Sequence, residues 1–244
     1  MTNLHFLHGF LGLASDWHCF AKDFKEHDCK FHNIYDYLGK HENNQKKRCF
    51  YSWANNFNAT VLHKNATNQK NILIGYSLGG RLALHALIES KKWDAAIIIS
   101  ANPGLLNNSD KQARILNDKL WSHRFLTEKW ELVLHLWNSQ DIFLNSKINF
   151  NRAENNFNKI EIANILNEFS LGKQENLREK IKNLDIPILW LAGENDIKFI
   201  KILYEMKDIN KKIEAKTILD SGHRSPWENQ AEFVKISLNF INKI

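Results

Sequence analysis

A chain of 244 residues that is 43% hydrophobic and 25% charged can bury one sizeable core, and this composition excludes disorder as its organising state. The formal charge of +6 rests on lysines scattered along the chain, with short clusters such as Lys46-Lys47-Arg48 but no basic stripe interleaved with aromatics. That argues against nucleic acid as a partner and leaves a mild positive field suited to a small anionic substrate. Three cysteines, Cys19, Cys29 and Cys49, are odd in number and lack C-x-x-C spacing, so they read as reduced thiols and point to neither a disulfide framework nor a zinc site.

The first predicted strand, residues 4–7, follows Met1-Thr2-Asn3 directly, without a basic n-region, a long apolar h-region or a small-residue cleavage site. No apolar run nears the ~18 residues of a membrane span, and a cytoplasmic location is the expectation. The strand leads into a glycine-bounded loop, His8-Gly9-Phe10-Leu11-Gly12. A second strand is predicted over residues 31–35 and an amphipathic helix over 52–64. The next strand, 71–74, runs into a serine flanked by glycines and then into a helical pattern over 80–90, followed by a strand at 95–100. Several of these runs are apolar throughout, as strands buried on both faces of a parallel sheet require. Residues 105–181 break the alternation, with no strand but with amphipathic stretches such as "KQARILNDKLWSHRFL", "EKWELVLHLWNSQDIF" and "KIEIANILNEFSL". A helical cap inserted over the carboxyl edge of the sheet is the expectation there. Strands at 188–191 and 215–219 and helices at 199–208 and 229–241 complete the chain. The β-α alternation predicts one domain, 1–244, built on a mostly parallel doubly wound α/β sheet with helices on both faces.

Gly75-Tyr76-Ser77-Leu78-Gly79 fits G-x-S-x-G between a strand and a helix, the setting of a nucleophile elbow. So sharp a turn leaves no room for side chains at the glycine positions, and it projects the Ser77 hydroxyl from the sheet edge. A hydroxyl is a weak base and a weak nucleophile near neutral pH, so it needs a histidine oriented by a carboxylate. In chain order serine, acid, histidine, the candidates are Asp196 in "LAGENDIKF" and His223 in "LDSGHRSPW", each just past a predicted strand. Glu194 on the same loop, or an acid following the 95–100 strand, of which the nearest is Asp110, competes with Asp196. The backbone N–H groups of Leu78, after the serine, and Phe10, in the first loop, are the candidate oxyanion donors.

Taken together, "LHGFLG...DW", "GYSLGGRLAL", "PGL", "AGENDIKF" and "SGHRSPWENQ" resemble the α/β-hydrolase superfamily, and in particular the 2-succinyl-6-hydroxy-2,4-cyclohexadiene-1-carboxylate (SHCHC) synthases of menaquinone biosynthesis. The resemblance covers nearly the whole chain. Its most discriminating parts are Gly80-Arg81-Leu82-Ala83, Asn102-Pro103-Gly104-Leu105, Gln112-Ala113-Arg114, Leu120-Trp121, Leu136-Trp137 with Ile142-Phe143, and the loop around Asp196. It implies an α/β-hydrolase fold that eliminates pyruvate from an enolpyruvyl-bearing cyclohexene, with the triad serine taking a ring proton. It also implies that Arg81, Arg114 and Arg152 contact substrate carboxylates, that Tyr76 and Trp137 line the same pocket, and that no metal or organic cofactor is needed. The chain departs from the family where a second histidine often follows the catalytic one; Ser225-Pro226-Trp227 occupies that segment. A carboxylesterase or thioesterase working through an acyl-Ser77 intermediate is the competing enzyme reading, and a neutral ester pocket would gain nothing from three buried cations. A non-enzymatic scaffold would have no use for the strained elbow.

Overall fold

The computed structural model describes residues 2–39, 48–62, 69–144 and 146–244. Six strands, β1 (Asn3–Leu7), β2 (Asp28–His32), β3 (Asn71–Tyr76), β4 (Ala95–Ile99), β5 (Ile188–Gly193) and β6 (Ile213–Ile218), form one sheet in the order β2-β1-β3-β4-β5-β6, every neighbour parallel. The apolar runs are explained by burial on both faces. On one face Leu73, Ile98, Trp190 and Ala192 join the helices α1 (Phe50–Leu62), α2 (Leu78–Glu89) and α7 (Ile197–Ile209). On the other, Phe6, Ile74, Ile97 and Leu191 pack with Trp17, Phe20 and Phe24 and with Phe233 and Phe240 of the C-terminal helix (Gln230–Ile241).

The registers Leu7↔Gly75, Tyr76↔Ile99 and Gly193↔Ile218 bring the carboxyl ends of five strands to one edge. Loops from β1, β3, β5 and β6 therefore meet there, which is where open parallel sheets bind ligands. Between β4 and β5 the described residues hold no strand. They form α3 (Asn108–Thr127), α4 (Trp130–Asn138), α5 (Lys159–Glu168) and α6 (Arg178–Lys182), with short 3-10 turns at Asp141–Phe143 and Glu154–Asn156. Trp121, Phe125, Trp130, Val133, Ile162 and Leu166 bury their apolar faces in a separate cluster that also takes Leu11 and Phe10 from the loop after β1. In the apolar stripes of α3, α4 and α5, this cluster gives the predicted amphipathy its partner. Leu177 and Ile181, at the start of and within α6, instead belong to the core on the sheet.

Boundaries moved where pairing outweighed propensity. The strand expected at 31–35 lies at Asp28–His32, because Asn3 pairs with Asp28 and the chain leaves the sheet at Asn33, whose side chain accepts from the Tyr35 N–H and starts a 3-10 turn. The last strand begins two residues before the expected position, at Ile213, opposite Ile188. The far end of the predicted 52–64 helix and the lysines of the Lys46-Lys47-Arg48 cluster fall outside the described residues. Arg48 itself pairs with Glu161 at 3.0 Å, joining the start of α1 to α5. Among the described residues no helix is long and apolar enough to cross a membrane.

Candidate active site

Ser77 sits at φ 53°, ψ −112°, between the last residue of β3 and the first of α2. A non-glycine residue in this region carries strain of about 1–3 kcal/mol, which the surrounding packing must hold. The flanking glycines make the turn possible. A Cβ at Gly75 would lie 2.6 Å from the Gly79 carbonyl oxygen, and one at Gly79 would run into the carbonyl groups of Leu7 and His8. The Ser77 N–H donates to Ile99 O at 2.9 Å, fastening the turn to the neighbouring strand.

Asp196 is the residue before α7, and His223 lies in the loop after β6; both are buried. His223 Nδ1 is 2.7 Å from Asp196 Oδ2, and its Nε2 is 3.2 Å from Ser77 Oγ. The carboxylate fixes the ring so that Nδ1–H donates to Asp196 and Nε2 is left to accept from the hydroxyl. Glu194, the competing acid, is exposed and accepts from the Asp220 N–H at 3.0 Å. Asp110 lies in the first turn of α3, exposed, with its carboxylate on Asn107. Neither reaches the histidine. Phe10 and Leu78 both line the cavity beside Ser77, and among the described residues neither N–H donates to another backbone carbonyl. The loop carrying Phe10 is shaped by His8, whose Nδ1–H donates to Gly9 O and whose Nε2 accepts from the Ile34 N–H. Burial lowers the His8 pKa, keeping the ring neutral in this structural role.

The cavity in front of Ser77 has a volume of about 840 Å³ and is walled by the β1 loop, α3, α4 and the loops of Asp196 and His223. Tyr76 and Trp137 are both in its wall, Trp137 against Phe10 at 4.7 Å between rings and Tyr76 edge-on to Trp227 at 5.0 Å. Trp227, in the segment where the family often has a histidine, donates its indole N–H to Asp16 O and packs on Trp17, so here that position supports the wall. Burial pushes the Tyr76 phenol far up, and it stays protonated.

The expected arginines all line the cavity, but they differ in how their charge is met. Arg81, on α2, is buried; it donates to Gln174 Oε1 and to Phe169 O and lies over the Phe50 ring, all neutral partners. Burial, and then the Arg114 charge, push its pKa down to about 9, so it is still a cation at neutral pH. Arg114 holds Asp118 through Nε at 2.9 Å. Arg152 is engaged end-on by Asp16, at 2.8 and 2.7 Å from its two terminal nitrogens. The sequence reading missed Arg224, Asn138 and Gln174. Arg224 follows His223, is 6% exposed and lines the same cavity. Its place next to His223, on a loop at the carboxyl edge of the sheet, was its one signal.

A serine in a left-handed turn between a parallel strand and a helix, joined through histidine to a carboxylate on later loops, defines the α/β-hydrolase class of fold. The family pattern described as alpha/beta hydrolase fold matches residues 3–230. The chain is 30% identical over 243 residues to the SHCHC synthase of Salmonella arizonae, covering 96% of this chain and 91% of that protein. Among solved structures it is similar to MenH from S. aureus, with a TM-score of 0.86, 23% identity and 99% and 94% of the two chains covered. It is also similar to a thermophilic esterase from Thermogutta terrifontis, with a TM-score of 0.76, 15% identity and 100% and 90% covered. The chain belongs to the α/β-hydrolase fold family and, within it, to the SHCHC synthases.

Proposed function

We propose that the protein is an SHCHC synthase that releases pyruvate from an enolpyruvyl-bearing cyclohexene carboxylate. Arg81 carries this reading: a buried cation with only neutral partners, in a cavity that opens on Ser77 Oγ, is arranged for a carboxylate that arrives with the substrate. In the proposed step Ser77 Oγ gives its proton to His223 Nε2 and takes a ring proton. The C–H electrons become a ring double bond, the C–O bond to the enolpyruvyl group breaks, and the leaving enolate takes the proton back from His223 to become pyruvate. Serine and histidine finish as they began. Asp196 stabilises the transient imidazolium, and the N–H groups of Phe10 and Leu78 face the charge that builds on the succinyl ketone oxygen.

Residues 105–181 serve in this reading as a cap that brings Arg114 and Trp137 over the sheet edge. Arg114 spends only Nε on Asp118 and keeps its terminal nitrogens for substrate, whereas Arg152 gives Asp16 one N–H from each terminal nitrogen and keeps Nε–H and the second N–H of each. Three unpaired cysteines fit a reducing, cytoplasmic setting. The test is catalytic efficiency on the enolpyruvyl precursor, read as pyruvate, against p-nitrophenyl esters, with intact-protein mass spectrometry during turnover. Efficient pyruvate release without an adduct is expected. A stable acyl-Ser77 species with no pyruvate formed would replace the synthase with an esterase or thioesterase.

A further inference from the structure

Four arginines line the cavity, and two of them already hold a carboxylate: Arg114 has Asp118 and Arg152 has Asp16. Arg224 has none. Its Nη1 donates to Ile148 O and to Asn149 Oδ1 at 2.8 Å, its Nη2 donates to Asn138 Oδ1, and its guanidinium lies 4.2 Å over the Phe143 ring. Each of those partners is neutral. The carboxylates around it are committed elsewhere: Asp16 to Arg152 and the Leu13 N–H, and Glu228 to the Gly222 N–H and Ser146 Oγ. Asp141, on the same wall, is exposed and in no ion pair among the described residues. Of the five guanidinium N–H groups three are used, so Nε–H and one Nη2–H remain.

A staple between the His223 loop and Asn138, Ile148 and Asn149 needs donors but no charge. An amide could supply them without the cost of burying a cation, so the charge calls for an anion. Arg81 poses the same demand from α2, four residues after Ser77 and among Phe50, Phe169 and Gln174, whereas Arg224 follows His223 among Asn138, Phe143, Ile148 and Asn149, so the two cations share none of these partners. We propose that Arg224, framed by Asn138, Phe143 and Phe150, forms a second carboxylate subsite, so that a substrate with two separated carboxylates bridges Arg81 and Arg224 across Ser77. This rests on the synthase reading, whose product name specifies a ring carboxylate and a succinyl carboxylate.

The probe is 2-succinylbenzoate, an aromatic compound with both carboxylates, together with its two monomethyl esters, titrated calorimetrically into the wild type, Arg224→Gln and Arg224→Lys. In the wild type, esterifying the carboxylate that Arg224 holds should weaken binding by about tenfold or more. Arg224→Gln should weaken the diacid and the other ester by a similar factor, yet leave the first ester nearly unchanged; Arg224→Lys should recover part of the loss. Comparing probes within one variant cancels any difference in folded fraction. Equal losses on all three probes, or unchanged diacid binding, would overturn the subsite. Pyruvate release by the wild type reports separately on the reaction. Release combined with equal losses removes the subsite alone, no release with the ester-selective pattern keeps the subsite and removes the synthase reading, and no release with no binding removes both.

Discussion

Ser77, His223 and Asp196 form a hydrogen-bonded chain with a short link to the acid and a longer one to the hydroxyl. In the proposed mechanism the three act as a unit, so Ser77→Ala and His223→Ala should each lower pyruvate release by about a thousandfold or more, and the double variant should be little worse than either. Asp196→Asn should be damaging but milder. Near-normal turnover by Ser77→Ala would remove the mechanism. Arg81 offers a second test, because its free N–H groups have no anion to satisfy them. Arg81→Ala should weaken binding of a carboxylate substrate by about 1.5–3 kcal/mol while barely changing hydrolysis of a neutral ester. Equal effects on both would mark the residue as structural, which its bonds to Gln174 and Phe169 also allow.

The β3-turn-α2 element holds Ser77 at positive φ inside a closely packed turn. Gly79 lies against the end of β1, where a methyl group would have to displace the Leu7 and His8 carbonyl groups, both backbone atoms that cannot swing aside. Gly79→Ala should therefore destabilise the protein by roughly 1–3 kcal/mol or more in urea unfolding, and should shift the loop that bears Phe10. A variant as stable as the wild type would show that the turn is looser than its packing implies. The elements between β4 and β5 were recognisable as helices from their periodicity, whereas their mutual contacts were not. The Trp121–Trp137 and Phe125–Trp130 ring pairs join α3 to α4, and nothing local in either stretch selects that pairing. The β2 boundary shows the converse, since the apolar-rich residues 31–35 looked more strand-like than the polar Asp28–Lys30 that the β1 register recruits.

Across the molecule, buried histidines make stability depend on pH. Burial first, then the His32 and Lys30 charges, lower the His5 pKa to about 3; burial, then Lys30, lowers that of His32 to about 4; and burial, with Arg81 and Lys180, lowers that of His85 to about 3. His5 and His32 stack with ring centroids 5.2 Å apart and share a 3.0 Å hydrogen bond, with Tyr37 on the outer nitrogen of His32. In the unfolded chain these rings take protons near pH 6.5, so between that value and about 3–4 the unfolded state binds more protons. Stability is therefore complete above about pH 6.5 and falls with acidification, by roughly 1.4 kcal/mol per pH unit for each histidine within its window. The melting temperature should drop steadily from pH 7 to pH 5, and His5→Gln with His32→Gln should make that slope shallower. A flat profile in the wild type would contradict buried neutral rings.

What could be read from the residues alone was whatever chemistry is local. The sharp Gly75–Gly79 turn, the alternation of apolar strands with amphipathic helices, and the order of Ser77, Asp196 and His223 after successive strands all follow from short stretches whose backbone geometry the residues dictate. The fold and the location of the hydrogen-bonded chain were therefore visible. The state of each cation was not. Arg81, Arg114, Arg152 and Arg224 look alike in the sequence, yet Arg114 meets a carboxylate one helical turn away, Arg152 meets one 136 residues away, and the other two meet none. Compensation of a buried charge depends on which groups packing brings within a few ångströms, and only the folded arrangement fixes that distance.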